Sequence, residues 1–456
     1  MPDSAPRLKR SISLLQASAI NMIDMVGIGP FVVMPLVMQL MGENTFLLAW
    51  VAGAVIALID GMVWAELGAA MPEAGGSYQF LKAAYGKGRW GQLMPFLFVW
   101  QTLFQAPLVV ASGAIGFAQY FTYLLPVGWL GKKMISGAVV ILLTGLLYRK
   151  IDAIGKISVF LWSGVIITIL WIIIGGMTHA HVAVLPSFHA SGGAALHALF
   201  WGALGHATVK SMYSFLGYYN VCHLGGEIKR PERNIPLSIF ISVIGIAVLY
   251  IGMNMSIVQV VPWKEARSSE FIVSIFIERA YGKGAAMIAT LLVLWIAFSS
   301  LFAVMLGYSR IPYAAAADGN FFPVFSKLHP RKNFPHLSLL ALGGTAFVFS
   351  LLFRLTDVIS AILAMRILVQ FIGQAAGLII LRKRNGTSHL PFKMWLYPLP
   401  VIFTITAWVG IFISTGRRFA ISGIIMTGIG TIVFLLLRRR KTDALFIRKT
   451  RLKTGD

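Results

Sequence analysis

Two apolar stretches of this chain are interrupted by glycine in a pattern suited to holding a small charged molecule. Val26, Gly27, Ile28 and Gly29, followed by Pro30, interrupt the stretch 14–40, and Tyr213, Ser214, Phe215, Leu216 and Gly217 interrupt the stretch 199–224. In hydrocarbon an unpaired backbone N–H or C=O costs several kcal/mol. A crossing helix is therefore broken only where it lines a cavity or packs inside protein. Past the first break, the next half-helix presents unpaired N–H groups and a positive dipole end, a ready site for a carboxylate. Pro30 suits its first turn, where a missing N–H costs nothing. The carbonyls left over before each break can hold an ammonium, so one gap could bind both charges of an α-amino acid.

Charged and hydroxyl side chains inside the apolar stretches form the second set. Asp24 lies one turn before the first break, Asp60 deep in the stretch 45–69, Lys210 just before the second break, and Arg366 in the middle of 358–381. Charges at such depth face a cavity or a partner. Two acids balance two bases, which also fits a buried structural ion network, with Asp24 paired to Lys210 as one form of it. Asp24 could equally bind an ammonium, and Asp24, Asp60 and Lys210 are candidate proton carriers. Ser299 and Ser300 are adjacent hydroxyls of the kind that sodium accepts as ligands, although serines in such helices often bond back to their own turn. Gln101 with Gln105 and Gln370 with Gln374 share helical faces, placed either to line the pathway or to bond between helices, and the second is favoured. Glu66 and Glu227 are expected to form ion pairs near helix ends. His179, His181, His189, His197 and His206 crowd one connection, but no acidic residue lies among them, so no metal is expected.

The elements that position these residues follow from composition. The chain has 456 residues, 57% hydrophobic and 12% charged, with mean hydropathy +0.79, against about 25% charged residues in a soluble domain. Twelve spans are expected, near 14–40, 45–69, 93–125, 134–148, 154–177, 199–224, 235–261, 285–309, 337–353, 358–381, 396–415 and 419–437, with no room for a soluble domain. With the N-terminus inside, 28 of the 39 Lys and Arg fall on the cytoplasmic side and nine outside. The positive-inside rule then puts both termini in the cytoplasm. The net charge of +23 therefore reads as topogenic, with a basic tail near anionic lipid rather than on nucleic acid. The polar, basic residues 1–13 are read as a cytoplasmic tail without a cleaved signal. Cys222 is the single cysteine, which excludes a disulfide framework.

Four segments resemble the amino acid–polyamine–organocation superfamily. Glu66-Leu67-Gly68 through Met71-Pro72-Glu73-Ala74-Gly75-Gly76-Ser77-Tyr78 resembles its loop after the second helix. Gly217-Tyr218-Tyr219 through Gly226-Glu227-Ile228-Lys229-Arg230-Pro231-Glu232-Arg233-Asn234-Ile235-Pro236 is similar to the stretch after its broken sixth helix. Ser309-Arg310 with Ala316-Ala317-Asp318-Gly319-Asn320-Phe321-Phe322-Pro323 is similar to its segment after the eighth, and Tyr397-Pro398-Leu399-Pro400 to the entry to its eleventh. The resemblance implies an all-α membrane protein of leucine-transporter fold. Spans 1–5 (about 14–177) and 6–10 (about 199–381) would be inverted repeats with helices 1 and 6 broken, followed by two added helices (about 396–437) and the basic tail 438–456. It implies amino acids or related amines as substrates. By position, Val26, Gly27, Ile28 and Gly29 would bind the substrate backbone, Tyr213 would gate the pocket, and Ser214, Phe215, Leu216 and Gly217 would form the unwound stretch of span 6. Phe215 and Leu216 are bulkier than the family's usual small residues there. Relatives without sodium dependence carry a lysine within span 5, whereas Lys156 sits at the end of that span here.

A broken helix at the same place in two repeats marks a transporter's substrate site. The sequence thus reads as a secondary transporter of a small amino acid or related amine in the cell (inner) membrane, working by alternating access without a cofactor. Proton coupling or ion-independent exchange is favoured over sodium. A carboxylate-free polyamine or organic cation held by Asp24 is the alternative substrate. An embedded enzyme would need a nucleophile–base pair or metal cluster, and a channel a filter-like repeat or a ring of like charge. The sequence contains neither.

Overall fold

The computed structural model describes residues 8–43, 45–86, 91–180, 194–352, 362, 364–387 and 390–454, with backbone alone at 152, 194–198 and 438–454. His181 and His189 lie outside the described residues, as does the side chain of His197. Helices dominate, and among the described residues there are no strands beyond two isolated bridges, Ile12 with Ile228 and Ala74 with Leu224.

The first half begins with α1 (Leu14–Met25) and α2 (Gly29–Met41), which meet at a bend of 46°. Ser13 starts α1 with a reciprocal cap: its hydroxyl accepts from Gln16 N, and Gln16 Oε1 accepts from Ser13 N at 2.9 Å. The long α3 (Phe46–Ala70) follows, then the short amphipathic α4 (Ser77–Tyr85), then α5 (Leu93–Phe121), α6 (Trp129–Leu147) and α7 (Ile151–Thr178). The second half repeats this order. Here α8 (Ala194–Phe215) and the single turn α9 (Asn220–His223) flank the second break. The long α10 (Pro231–Val260) follows, then the short α11 (Trp263–Ala266) and α12 (Ile272–Tyr281), then α13 (Lys283–Tyr308) running on into α14 (Arg310–Ala317). After α15 (His336–Leu352), α16 (Ala364–Asn385) contains a π-helical stretch, Ile367–Ile372. Two further helices close the chain, α17 (Leu399–Ser414) and α18 (Arg417–Thr454). The last of these continues as helix past the apolar stretch ending at Leu437.

Eight described helices are long and apolar enough to cross a membrane, and the bent pair α1–α2 makes a ninth. The apolar helices α15 and α17 are shorter, and α8 carries Lys210 and His206. Each of the twelve expected segments overlaps a described helix, with 353, 358–361 and 363 lying outside the described residues. The core is built where α1, α3, α8 and α10 pack together, around fully buried Trp50, Trp64, Tyr218 and Tyr250.

Both glutamates expected in ion pairs form them. Arg310 grips buried Glu227 with Nη2–Oε1 at 3.0 Å and Nε–Oε2 at 3.3 Å, and Arg382 holds buried Glu66 with Nε–Oε1 at 2.6 Å. Arg310 falls just past the span expected at 285–309, but it is buried because the eighth span continues through α14. The glutamines also bond between helices: Gln101 donates to Thr427 Oγ1, Gln105 to Tyr308 OH, and Gln370 and Gln374 share Ser77. Arg310→Met should strand a buried carboxylate and cost about 3–5 kcal/mol. Asp318→Ala at the half-exposed pair with Lys82 should cost under about 1 kcal/mol. Unfolding midpoints of the two variants in one detergent check this, and equal losses would contradict it.

Candidate functional site

The two breaks meet at the centre of the molecule, and their backbones are held by side chains. Val26 and Gly27 leave the helical path after Met25, and α2 restarts at Gly29 with Pro30 in its first turn. Its N-cap, Ile28, has no polar side chain, so no capping side chain takes the first N–H groups. At the second break Gly217 has φ +123°, a conformation open to glycine alone at low cost. Any Cβ there would lie 2.8 Å from the Asp24 carboxyl carbon and from the Met25 nitrogen. Asn21 on α1 accepts from Val221 N at 2.9 Å, and Asn220 donates to the Ala303 carbonyl of α13 at 2.8 Å. Gly307 is needed for that approach, since its Cβ would fall 1.7 Å from Asn220 Oδ1.

Between the breaks lies a cavity of about 70 Å³. One water needs about 10–15 Å³, so the space suits a small solute. The cavity is lined from the first break by Asp24, Gly27, Ile28 and Gly29, and from the second by Tyr213, Ser214, Leu216, Gly217 and Tyr219. Ser112 of α5, Ser300 and Tyr308 of α13 and Arg366 of α16 complete its polar surface. Tyr213 packs on Gly29, whose Cβ would come within 3.1 Å of the ring.

Arg366 is the least expected member. It is 3% exposed and lies among the rings of Tyr219, Tyr308 and Phe371, 5.2–5.7 Å from their centroids. Its Nε donates to Gln370 Oε1 at 2.8 Å, while Nη2 has no hydrogen-bond partner among the described residues. The Ser214 hydroxyl, 1% exposed, is likewise without one. A guanidinium and a hydroxyl with open donors thus share a cavity with the carboxylate of Asp24 and the N-terminus of α2. That set can hold a carboxylate and an ammonium together.

The remaining sequence candidates fall elsewhere. Val26 and Phe215 do not line the cavity. Ser214 and Phe215 still belong to α8, because the turn begins at Leu216 and Phe215 packs its ring on Trp50 and Tyr250. Asp60 takes bonds from Trp64 Nε1 at 2.9 Å, Trp408 Nε1 at 3.1 Å and the Tyr218 hydroxyl, all neutral donors away from the cavity. Lys210 is half-buried outside the lining and does not pair with Asp24. Among the described residues none of Asp24, Asp60, Lys210 and Arg366 forms an ion pair, so no balanced ion network exists there. Ser299 bonds back to Trp295 O at 2.7 Å, while Ser300 reaches the Asp24 carbonyl at 3.3 Å. No group of three metal-ligating side chains occurs among the described residues.

Gly217→Ala should abolish substrate binding while the protein still purifies as a monodisperse species. Gly42→Ala, also at positive φ (85°) but with open space around it, should strain the backbone locally and leave affinity unchanged. Binding in thermal-shift titrations separates the two, and ordinary affinity in the Gly217→Ala variant would contradict the geometry.

Comparison with known proteins agrees with this architecture. The family described as amino acid permease matches residues 12–434. The human cystine/glutamate transporter is 26% identical over 436 residues, covering 94% of this chain and 84% of that protein. The mouse Asc-type amino acid transporter 1 is 24% identical over 444 residues, covering 94% and 80%. The serine/threonine exchanger SteT of Bacillus subtilis is 24% identical over 407 residues, covering 87% and 89%. The chain therefore belongs to the amino acid permease family, whose members are multi-pass membrane transporters and not enzymes.

Proposed function

We propose that the protein carries a small zwitterionic amino acid across the membrane by alternating access, as a permease or an exchanger. One observation carries this reading: a buried acid and a buried guanidinium with an open donor face the same cavity at the junction of two broken helices. The substrate carboxylate would lie at the N-terminus of α2, within reach of Arg366 Nη2 and Ser214 Oγ. The ammonium would lie on the Asp24 side. The relatives named for amino acid transport support the substrate class. The matching element order of α1–α7 and α8–α16 supports two repeats, about 14–177 and 199–381, in the inverted arrangement of the leucine-transporter fold. The lysine and arginine bias supports cytoplasmic termini in the cell membrane.

A carboxylate-free polyamine is disfavoured, because Arg366 would place a second cation in the cavity beside it. Sodium coupling through the serine pair is disfavoured as well, since Ser299 is turned back to its own helix. Proton coupling or ion-independent exchange fits better.

A thermal-shift screen of amino acids, polyamines and organic cations should give a hit among the small zwitterionic amino acids, because a ligand held only by the folded state raises its stability. In liposomes, Arg366→Met and Asp24→Asn should each raise KM for that hit by about 10- to 100-fold, the loss of one charge-assisted hydrogen bond. Silence across the screen, or unchanged KM in Arg366→Met, would reject the proposal.

A further inference from the structure

Asp60 of α3 is 1% exposed, and no cation pairs with it among the described residues. Its Oδ1 accepts from Trp408 Nε1 of α17 at 3.1 Å. Its Oδ2 accepts from Trp64 Nε1 at 2.9 Å and from the Tyr218 hydroxyl. All three donors are fully buried. An ionised carboxylate only accepts, so this shell fits the charged form. A charge at such depth without a counter-ion is expensive, and the three charge-assisted bonds offset that cost only while they stay together.

The charged and titratable groups on the surrounding elements do not neutralise it. Arg366 of α16 lies over the rings of Tyr219, Tyr308 and Phe371, and Glu66, further along α3, is taken by Arg382. His223 stands edge-on to the Trp64 ring at 6.2 Å, and the Tyr250 hydroxyl of α10 is given to backbone carbonyls. Lys210 and Tyr213 of α8 make no bond to Asp60, Glu232 and Arg233 of α10 are exposed, and α17 carries no titratable side chain.

A proton arriving from water on Oδ2 would create an O–H in need of an acceptor. Tryptophan N–H groups can only donate, whereas a tyrosine hydroxyl can do either. Protonation therefore reverses the Tyr218 bond, with Asp60 donating and the tyrosine's own hydrogen turning away. Tyr218 follows Gly217 in the second break. The two tryptophans are tied to the cavity as well: Trp64 stacks on Tyr219 at 4.4 Å and Trp408 on Phe371 at 3.9 Å. Arg366 lies over both of those rings, and Tyr219 lines the cavity.

We propose that Asp60 is the binding site of a co-transported proton, and that its charged carboxylate latches the second break to α3 and α17 until the proton arrives. This deepens the transport reading and rests on it. Parting Tyr218 or Trp408 from the charged form strips a buried anion of its donors, whereas the neutral acid can let them go.

Infrared difference spectra of the full chain between alkaline and acid pH report protonated carboxyl groups. The wild type should gain a C=O band component that Asp60→Asn lacks. Trp408→Phe removes a donor from the charged form, so it should move the midpoint of that component up by about one to two pH units. In liposomes with a substrate found for the wild type, an acidic exterior should drive its accumulation. Asp60→Asn should lose that accumulation, and Tyr218→Phe should lose it while keeping the band. An undiminished band in Asp60→Asn, or an unshifted midpoint in Trp408→Phe, would overturn the proposal. If Asp60→Asn does not fold, the Trp408→Phe midpoint decides. A wild type that exchanges substrate but ignores the pH gradient overturns the proton site and leaves the transport reading standing. A wild type that moves no substrate under any gradient rejects the transport reading itself.

Discussion

The backbone of two interrupted helices must find partners far from water, and most of the centre of this molecule is arranged to supply them. An unpaired carbonyl in that setting costs several kcal/mol, so each break persists only because a donor or acceptor stands ready. Ser300 bonds the Asp24 carbonyl, Tyr250 the carbonyls of Met25 and Ser214, and Asn21 the amide of Val221. These partners come from α13, α10 and α1, so the breaks dictate how those helices must pack. The glycines follow from the same demand. Gly217 lies against Asp24, Gly307 against Asn220 and Gly27 against Ser300, each at a distance that a Cβ would turn into a clash.

The charges sort by the same logic. Glu227–Arg310 and Glu66–Arg382 are buried ion pairs whose partners satisfy each other, and Met394 N adds a bond to Glu66. Asp60 is buried without a cation, but three neutral donors surround it, one of them on Tyr218 beside the second break. Asp24 and Arg366 differ from all of these. They face a common cavity without pairing, and Arg366 keeps an open donor. An open donor on a buried guanidinium is expensive at such depth, so a ligand that accepts from it is favoured.

The breaks were legible because they need only local information: apolar length, glycine and a following proline. Their edges were less so. Ser214 and Phe215 remain helical because Phe215 fills the space beside Trp50 and Tyr250, a tertiary contact that no spacing rule contains. Arg366 stood out as an intramembrane charge, yet its place in the cavity depends on the rotation of α16, which its π-helical stretch alters. Ser112, Tyr219 and Tyr308 carried no signal, because small and aromatic residues in membrane helices line cavities and pack cores alike. The pairing of Asp60 with Trp408 links positions far apart in sequence and was equally unreadable.

How the cavity connects to the rest of the molecule follows from the second side of Arg366. Its Nε is held by Gln370, whose amide reaches Ser77 Oγ at 3.4 Å, and Ser77 donates to Gln374 at 2.7 Å. Ser77 opens α4, and the loop just before it is bridged to the second break, through Gly75 N on the His223 carbonyl and Ala74 on Leu224. The guanidinium that faces the cavity is therefore oriented from behind by a polar chain ending where α3, α4 and α9 converge. A bond to Nη2 acts on an arginine whose other end is already committed. Rotating its head requires either breaking the Gln370 bond or carrying α16 with it.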